Sequence, residues 1–297
     1  LPLAERAAQW KRHDDEAASH VIIPLRIAAA GALALFALAE PAFAAAPLVA
    51  HRAVYELKLR STRGSTQVEQ VRGRIVYEFK GDSCGGYALD FRQVTEIASE
   101  GGDTNVSDLR SKTWEDGAAK SFKFAAQNFL NQKLDRDTDG HAERASDGVN
   151  VSTTKPEKTS NAFDKETLFP TEHLIRIIEA AQRGESLLEA SVYDGSEAGD
   201  KSFDTLSVIG KRSDAPESGL EEPARARELV GQPHWPVTIS YFQQGKAEDG
   251  ERTPDYEMSF ELYANGVSRA LRIDYGEFIL DGDLKELQFL PTSKTCP

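Results

Sequence analysis

From Ala46 onward, apolar and polar residues alternate with a period of two. Ala53, Tyr55, Leu57 and Leu59 fall on one face of a strand, and Arg52, Glu56, Lys58 and Arg60 fall on the other. Gly73, Ile75, Tyr77 and Phe79 repeat the pattern up to the turn signal Gly81-Asp82. Tyr87, Leu89 and Phe91, followed by Thr95 and Ile97, make a third long strand. Such alternation is the mark of an antiparallel sheet with one buried and one wet face. Shorter strands are predicted at 104–115, 119–127, 130–136, 141–146 and 149–154, with Asp116-Gly117, Asp139-Gly140 and Asp147-Gly148 as turns.

The period changes after Phe169. Pro170-Thr171-Glu172 opens a helix with Thr171 expected as its N-cap. Leu174, Ile177, Ile178 and Ala181 recur on one face, and Gly184 stops it. Strands resume at 186–193, 202–211 and 235–244. A meander follows at 255–264, 267–276 and 277–290, in which Asn265-Gly266 is the strongest hairpin signal. The stretch 213–233, rich in Pro, Glu and Arg, reads as an exposed loop. The predicted class is mainly β: one large curled antiparallel sheet, spiral and open-barrel-like, of about a dozen strands. The amphipathic helix is expected inside, filling the concave side.

A different kind of segment precedes the strands. Val21-Ile22-Ile23-Pro24-Leu25-Arg26 leads into an apolar run from Ile27 to Ala39, then Glu40-Pro41-Ala42-Phe43-Ala44. A charged step, a short apolar run and an A-x-A site form a secretory signal, so 21–44 is read as a signal peptide cleaved after Ala44. The run, about 13 residues, falls short of the roughly 20 that a bilayer span needs. Residues 1–20 are polar and of mixed charge, and are read as a misplaced gene start. The expected mature chain, 45–297, is a single β domain in the periplasm, with no stable membrane insertion after cleavage.

Charge and cysteines sharpen this picture. The net charge is −13, and an acidic domain repels nucleic acid and anionic membrane surfaces. The two cysteines, Cys84 and Cys296, contain no C-x-x-C and lack two further ligands for structural zinc. In an oxidising compartment an isolated pair is expected to form a disulfide.

Catalytic signatures are sparse. The chain carries no G-x-S-x-G, S-x-x-K or H-E-x-x-H. His51, His141, His173 and His234 show no ligand spacing. His173 beside Glu172 has the form of a base with its orienter, but a histidine on the helix surface explains it more simply. His234-Trp235-Pro236 reads as a strand entry with an aromatic anchor. Asp135, Asp137, Asp139 and Gly140 match the front of a calcium loop, with Glu143 at its ninth position. Ser146 stands where the bidentate Glu belongs, so the segment is read as a hairpin turn. No catalytic residue, cofactor or metal is assigned.

Three features together carry a resemblance. They are the strand His51-Arg52-Ala53-Val54-Tyr55-Glu56-Leu57, the Cys84 and Cys296 pair, and the run from Glu166 through Leu168-Phe169-Pro170-Thr171-Glu172-His173 to Leu174. With them the chain resembles the EipB-type bacterial cell-envelope integrity family. The resemblance implies a periplasmic protein with a spiral β-sheet and a disulfide, needed for resistance to envelope stress, and it implies no catalytic residues. The expected function is therefore non-enzymatic: a scaffold or partner-binding module supporting envelope integrity, its partner an envelope protein or a lipid. The alternatives are a carrier or binder of a lipid or lipoprotein acyl chain and, last, a cell-wall hydrolase.

Overall fold

The computed structural model describes residues 48–64, 67–196, 198–214, 219–244 and 252–291. The predicted start, the signal segment with its Ala44 site, and Cys296 lie outside the described residues. Within them the chain forms fourteen strands and one α-helix. The first eight strands are β1 (His51–Thr62), β2 (Val68–Asp82), β3 (Gly86–Ser99), β4 (Thr104–Glu115), β5 (Ser121–Leu130), β6 (Lys133–Arg144), β7 (Val149–Lys155) and β8 (Thr159–Phe163). Helix α1 (Pro170–Arg183) follows. Six further strands complete the set: β9 (Leu187–Val192), β10 (Phe203–Ile209), β11 (His234–Gln243), β12 (Tyr256–Tyr263), β13 (Ser268–Asp274) and β14 (Phe278–Phe289).

All fourteen strands join one antiparallel sheet in the order β8-β7-β6-β5-β4-β3-β2-β1-β14-β13-β12-β11-β10-β9. Every neighbour is also a neighbour in sequence except one pair, β1 with β14. The chain thus makes a ring-like meander that joins its first strand to its last and stays open between β8 and β9. The segment carrying α1 runs from one open edge to the other.

Alternation explains the long strands. In β1, Ala53, Tyr55 and Leu57 are buried while Glu56 and Lys58 are exposed. On the outer face, cross-strand ion pairs stand in rows: Arg52–Glu286 at 3.0 Å, Lys58–Asp283 at 2.9 Å, Arg72–Glu96 at 2.6 Å and Arg92–Asp108 at 2.9 Å. These exposed pairs give register and solubility more than stability.

Three expectations need correction. No turn lies at Asp139-Gly140, because β6 runs through it. A Cβ on Gly140 would lie 2.5 Å from the Phe124 ring and 2.6 Å from the Ser152 carbonyl. The glycine therefore serves a close approach beside a register shift against β7, not a reversal. Thr171 is not the N-cap. That position is Phe169, which has no side-chain cap, and the helix start is held from elsewhere in the fold. The stretch 213–233 is not simply an exposed loop, since Ser213 bridges to His234 and a 3₁₀ turn spans Glu222–Arg225. Ala224 and Leu229 are buried, and Leu229 packs with Tyr263 and Val267.

The helix ends as its sequence dictates. Gly184 adopts φ 79°, and the amides of Gly184 and Glu185 donate to the carbonyls of Ala181 and Ala180. This paired closure suits a residue without Cβ. His173, Ile177, Ile178, Ala180 and Ala181 form the buried side of α1. One core joins this face to β1, β2 and β11–β14. A second core, Phe122, Phe124, Val149, Val151, Phe169 and Tyr193, lies under β5–β8.

Candidate functional site

The helix packs inside the curl, as expected, with its buried face in the core shared with β1, β2 and β11–β14, and it leaves part of the concave side open. Its closest strand neighbours are β9 and β10, at one flank of the sheet. The helix of fourteen residues, set toward that flank, leaves a cavity of about 410 Å³ between itself and the facing strands. Its walls are Tyr55, Ile75, Leu89, Phe91 and Leu109 from β1–β4, and Ile239, Met258, Phe260, Leu271 and Ile273 from β11–β13. Leu174, Ile177 and His173 of α1 close the third side. The inner end is sealed, with Tyr55, Ile177 and Leu262 at most 2% exposed. At the other end Leu89, Phe91 and Leu109 are half-buried and Tyr275 is 38% exposed, so the space opens there.

The polar groups around it are few and mostly tyrosine hydroxyls. The Tyr55 hydroxyl donates to the Ser268 carbonyl at 2.7 Å, and burial pushes its pKa up to about 12. The Tyr241 and Tyr256 rings stack at 4.4 Å, and burial raises both hydroxyls. His173, expected on the helix surface, is instead 4% exposed because its turn faces β10. Its Nε2 lies 3.3 Å from Thr205 Oγ1, whose own proton goes to the Ala190 carbonyl at 2.9 Å. Burial lowers the imidazole to about 4, so it is neutral at pH 7. The result is an apolar, uncharged space suited to a hydrocarbon chain.

The helix start is held by a carboxylate from β4. Glu115, 3% exposed, accepts the Thr171 amide at 2.7 Å and the Glu172 amide at 2.8 Å. These are donors that a helix leaves orphaned at its first turn. Burial pushes the Glu115 carboxyl up to about 7, with the two amide bonds pulling the other way. Beside it, Arg144 donates to Glu172 at 2.6 Å and to the carbonyls of Ala119 and Lys165 at 3.0 and 2.9 Å.

The residues singled out in the sequence do not converge. His51 is buried, with Nδ1 2.8 Å from the Val49 carbonyl, and burial lowers its pKa. His141 is exposed on β6. His234 begins β11, followed by the 2% exposed Trp235, as a strand entry requires. Asp135, Asp137 and Asp139 are strung along β6, each with its own contact: Asn128 at 3.4 Å, Lys155 at 2.8 Å and Thr154 at 2.6 Å. Among the described residues no group of three acidic, His or Cys side chains is placed to hold a metal ion. Cys84 sits in the exposed β2–β3 turn. The cavity wall from β11–β13 and the Glu115 contact were missed by sequence reasoning. A wall of Leu, Ile and Tyr reads like any core, and Glu115 acts across a long stretch of chain.

A curled, unclosed antiparallel sheet around one helix defines a barrel-like β fold. The EipB-like family matches residues 42–291, and the chain belongs to that family. A similar relative is the "Cell envelope integrity protein EipB" of Brucella abortus (strain 2308). It is 35% identical over 261 residues, covering 87% of this chain and 90% of the relative. A crystal structure from Brucella abortus of a beta-barrel-like protein, domain of unknown function DUF1849, matches with a TM-score of 0.75. It is 32% identical and covers 82% of this chain and 99% of that one.

Proposed function

We propose that this protein supports cell-envelope integrity in the periplasm by binding, without catalysis, and that what it binds is a single hydrocarbon chain in the concave cavity. The cavity is the observation that carries this reading. It is apolar, uncharged, sealed at one end and open at the other. At roughly 30 Å³ for each group the size of a water molecule, it would hold on the order of a dozen methylenes. Burial is worth about 0.8 kcal/mol per methylene, enough to offset the cost of association. The relative named for envelope integrity supports the cellular role, and the signal at 21–44 supports export. His173 argues against catalysis: it is buried and neutral, and its contact is to Thr205.

The test is complementation of envelope-stress sensitivity in a strain lacking the gene. Ile239→Trp projects bulk into the cavity. Val208→Trp, at a residue 45% exposed, adds the same bulk outside it. Both should accumulate to wild-type levels, and only Ile239→Trp should fail to complement. Full complementation by a stably folded Ile239→Trp would refute the cavity as the working site.

A further inference from the structure

The tyrosines of the cavity wall fall into two groups. Tyr55 donates to the Ser268 carbonyl, and Tyr275 bonds with Gln93. The hydroxyls of Tyr77, Tyr241 and Tyr256 line the same cavity and make no hydrogen bond to any described residue. Burial raises the pKa of all three, so each keeps its proton and stands as a neutral donor. A buried donor without an acceptor is costly, and here the acceptor can come only from what enters the cavity.

Two of these donors are brought together and held. Tyr241 of β11 and Tyr256 of β12 are paired in register, and their rings stack at 4.4 Å with 12° between the planes. Paired residues on one face of a sheet point the same way, so both hydroxyls reach into the same part of the cavity. Phe203 of β10 meets both rings edge-on, at 6.1 and 6.2 Å, and fixes the stack. Along β12 the cavity is lined in turn by Tyr256, Met258, Phe260 and Leu262. Leu262 belongs to the sealed end, so the tyrosine pair lies about 20 Å along the strand from it, toward the open end at Tyr275. Tyr77 stands apart, on β2 in the facing wall, paired with Ala53 and Phe91.

We infer that the ligand is an acyl chain joined through an uncharged carbonyl, an ester or an amide, whose oxygen accepts the protons of the Tyr241 and Tyr256 hydroxyls while the tail runs toward Leu262. This rests on the reading of the cavity as a hydrocarbon site and adds the linkage at the head of the chain. A carbonyl oxygen has two lone pairs and can take both protons. A plain hydrocarbon would leave both donors unpaired. A carboxylate would meet a wall whose described lining residues include no Lys or Arg and whose one histidine is neutral, so nothing there offsets its loss of water.

The test uses the mature protein and four ligands of one chain length below their micelle concentrations: 1-monomyristoylglycerol, N-myristoylethanolamine, myristate and 1-O-tetradecylglycerol. The last is the ether counterpart of the first and lacks only its carbonyl. Binding is read by displacement of a neutral fluorescent apolar probe. The ester, the amide or both should bind about tenfold tighter than the ether, and tighter than myristate. Which carbonyl ligand binds tighter assigns the linkage. The double variant Tyr241→Phe, Tyr256→Phe keeps the ring stack and should melt no lower than wild type. It should bring the carbonyl ligands to the level of the ether and leave the ether and the probe unchanged. Tyr77→Phe, which removes a hydroxyl from the facing wall, should leave the ratio of ester to ether as it was. Equal binding of ester, amide and ether by wild type, tighter binding of myristate, or an equal loss for all ligands in the double variant would overturn the carbonyl assignment while leaving the cavity reading intact. So would a ratio that moves with Tyr77→Phe and not with the double variant. A protein that takes up neither probe nor any ligand would overturn both.

Discussion

The ring of strands is paired at one place and only bridged at another. At the seam, β1 and β14 pair along nearly their whole lengths, from His51 opposite Phe289 to Thr62 opposite Phe278. Leu280 and Leu284 pack there at no more than 1% exposure. At the gap, β8 and β9 are unpaired edges, and closure falls to the segment carrying α1. Leu168 forms a short parallel bridge to Val192, and the helix start is pinned by Glu115 and Arg144. A ladder of backbone bonds holds its shape over many residues, whereas a few side-chain contacts hold at single points. The seam is the frame, and the gap, with the cavity beside it, is where the wall can yield.

The largest expected effect lies at the seam. Phe289 lies level with His51 and His51 with Phe79, so the end of β14 is two strands, about 10 Å, from β2. β2 leads into the turn of Cys84, and the few residues from Phe289 to Cys296 have the reach for the proposed disulfide. Changing both cysteines to Ser should lower stability by up to about 5 kcal/mol, largely through the unfolded chain, while β-sheet circular dichroism stays native. Two free thiols in protein taken from the periplasm would refute the bond.

At the gap the effect is smaller and depends on pH. Glu115→Ala orphans two amides of α1 and should cost about 1–3 kcal/mol in urea unfolding at neutral pH. Burial raises the Glu115 carboxyl to about 7 in the fold, above its ordinary value. Its stabilising contribution is therefore complete below the unfolded pKa, near 4.5, and is lost as pH rises through 7. His173 has the opposite sign. Held near 4, it favours the fold above 6.5 and loses that contribution as pH falls. Glu115→Gln removes only the first contribution, so the variant should lose stability relative to wild type between pH 8 and pH 5. A pH-independent difference would contradict the assigned shift.

The smallest effect belongs to the outer face of the seam. Lys58→Ala removes the exposed pair with Asp283 and should change stability by less than about 1 kcal/mol, and less still at high salt. A loss comparable to that of Glu115→Ala would mean that ion pairs, not the ladder, hold the seam.

How legible each part was follows from the range of its causes. The alternation of β1–β3 and the helix from Pro170 to Gly184 are local patterns, and both were read from sequence. The unbroken β6 was not, because Gly140 answers to the Phe124 ring on a neighbouring strand. Nor was the helix cap, because Glu115 comes from β4. β8 was missed because Thr159–Phe163 is short and largely exposed, with little alternation to mark it. The cavity was illegible for a different reason. Ile239 and Leu271 would have the same sequence whether they met another side chain or empty space, and only the sideways position of α1 decides which.

Whether that space holds a chain can be measured directly. Protein purified from the periplasm without detergent is extracted with organic solvent, and the extract and the intact protein are weighed by mass spectrometry. A bound single-chain amphiphile near one per protein, absent from Ile239→Trp and present in Val208→Trp, is the predicted result. Wild-type protein that carries no such molecule and takes none up when one is supplied would contradict the account.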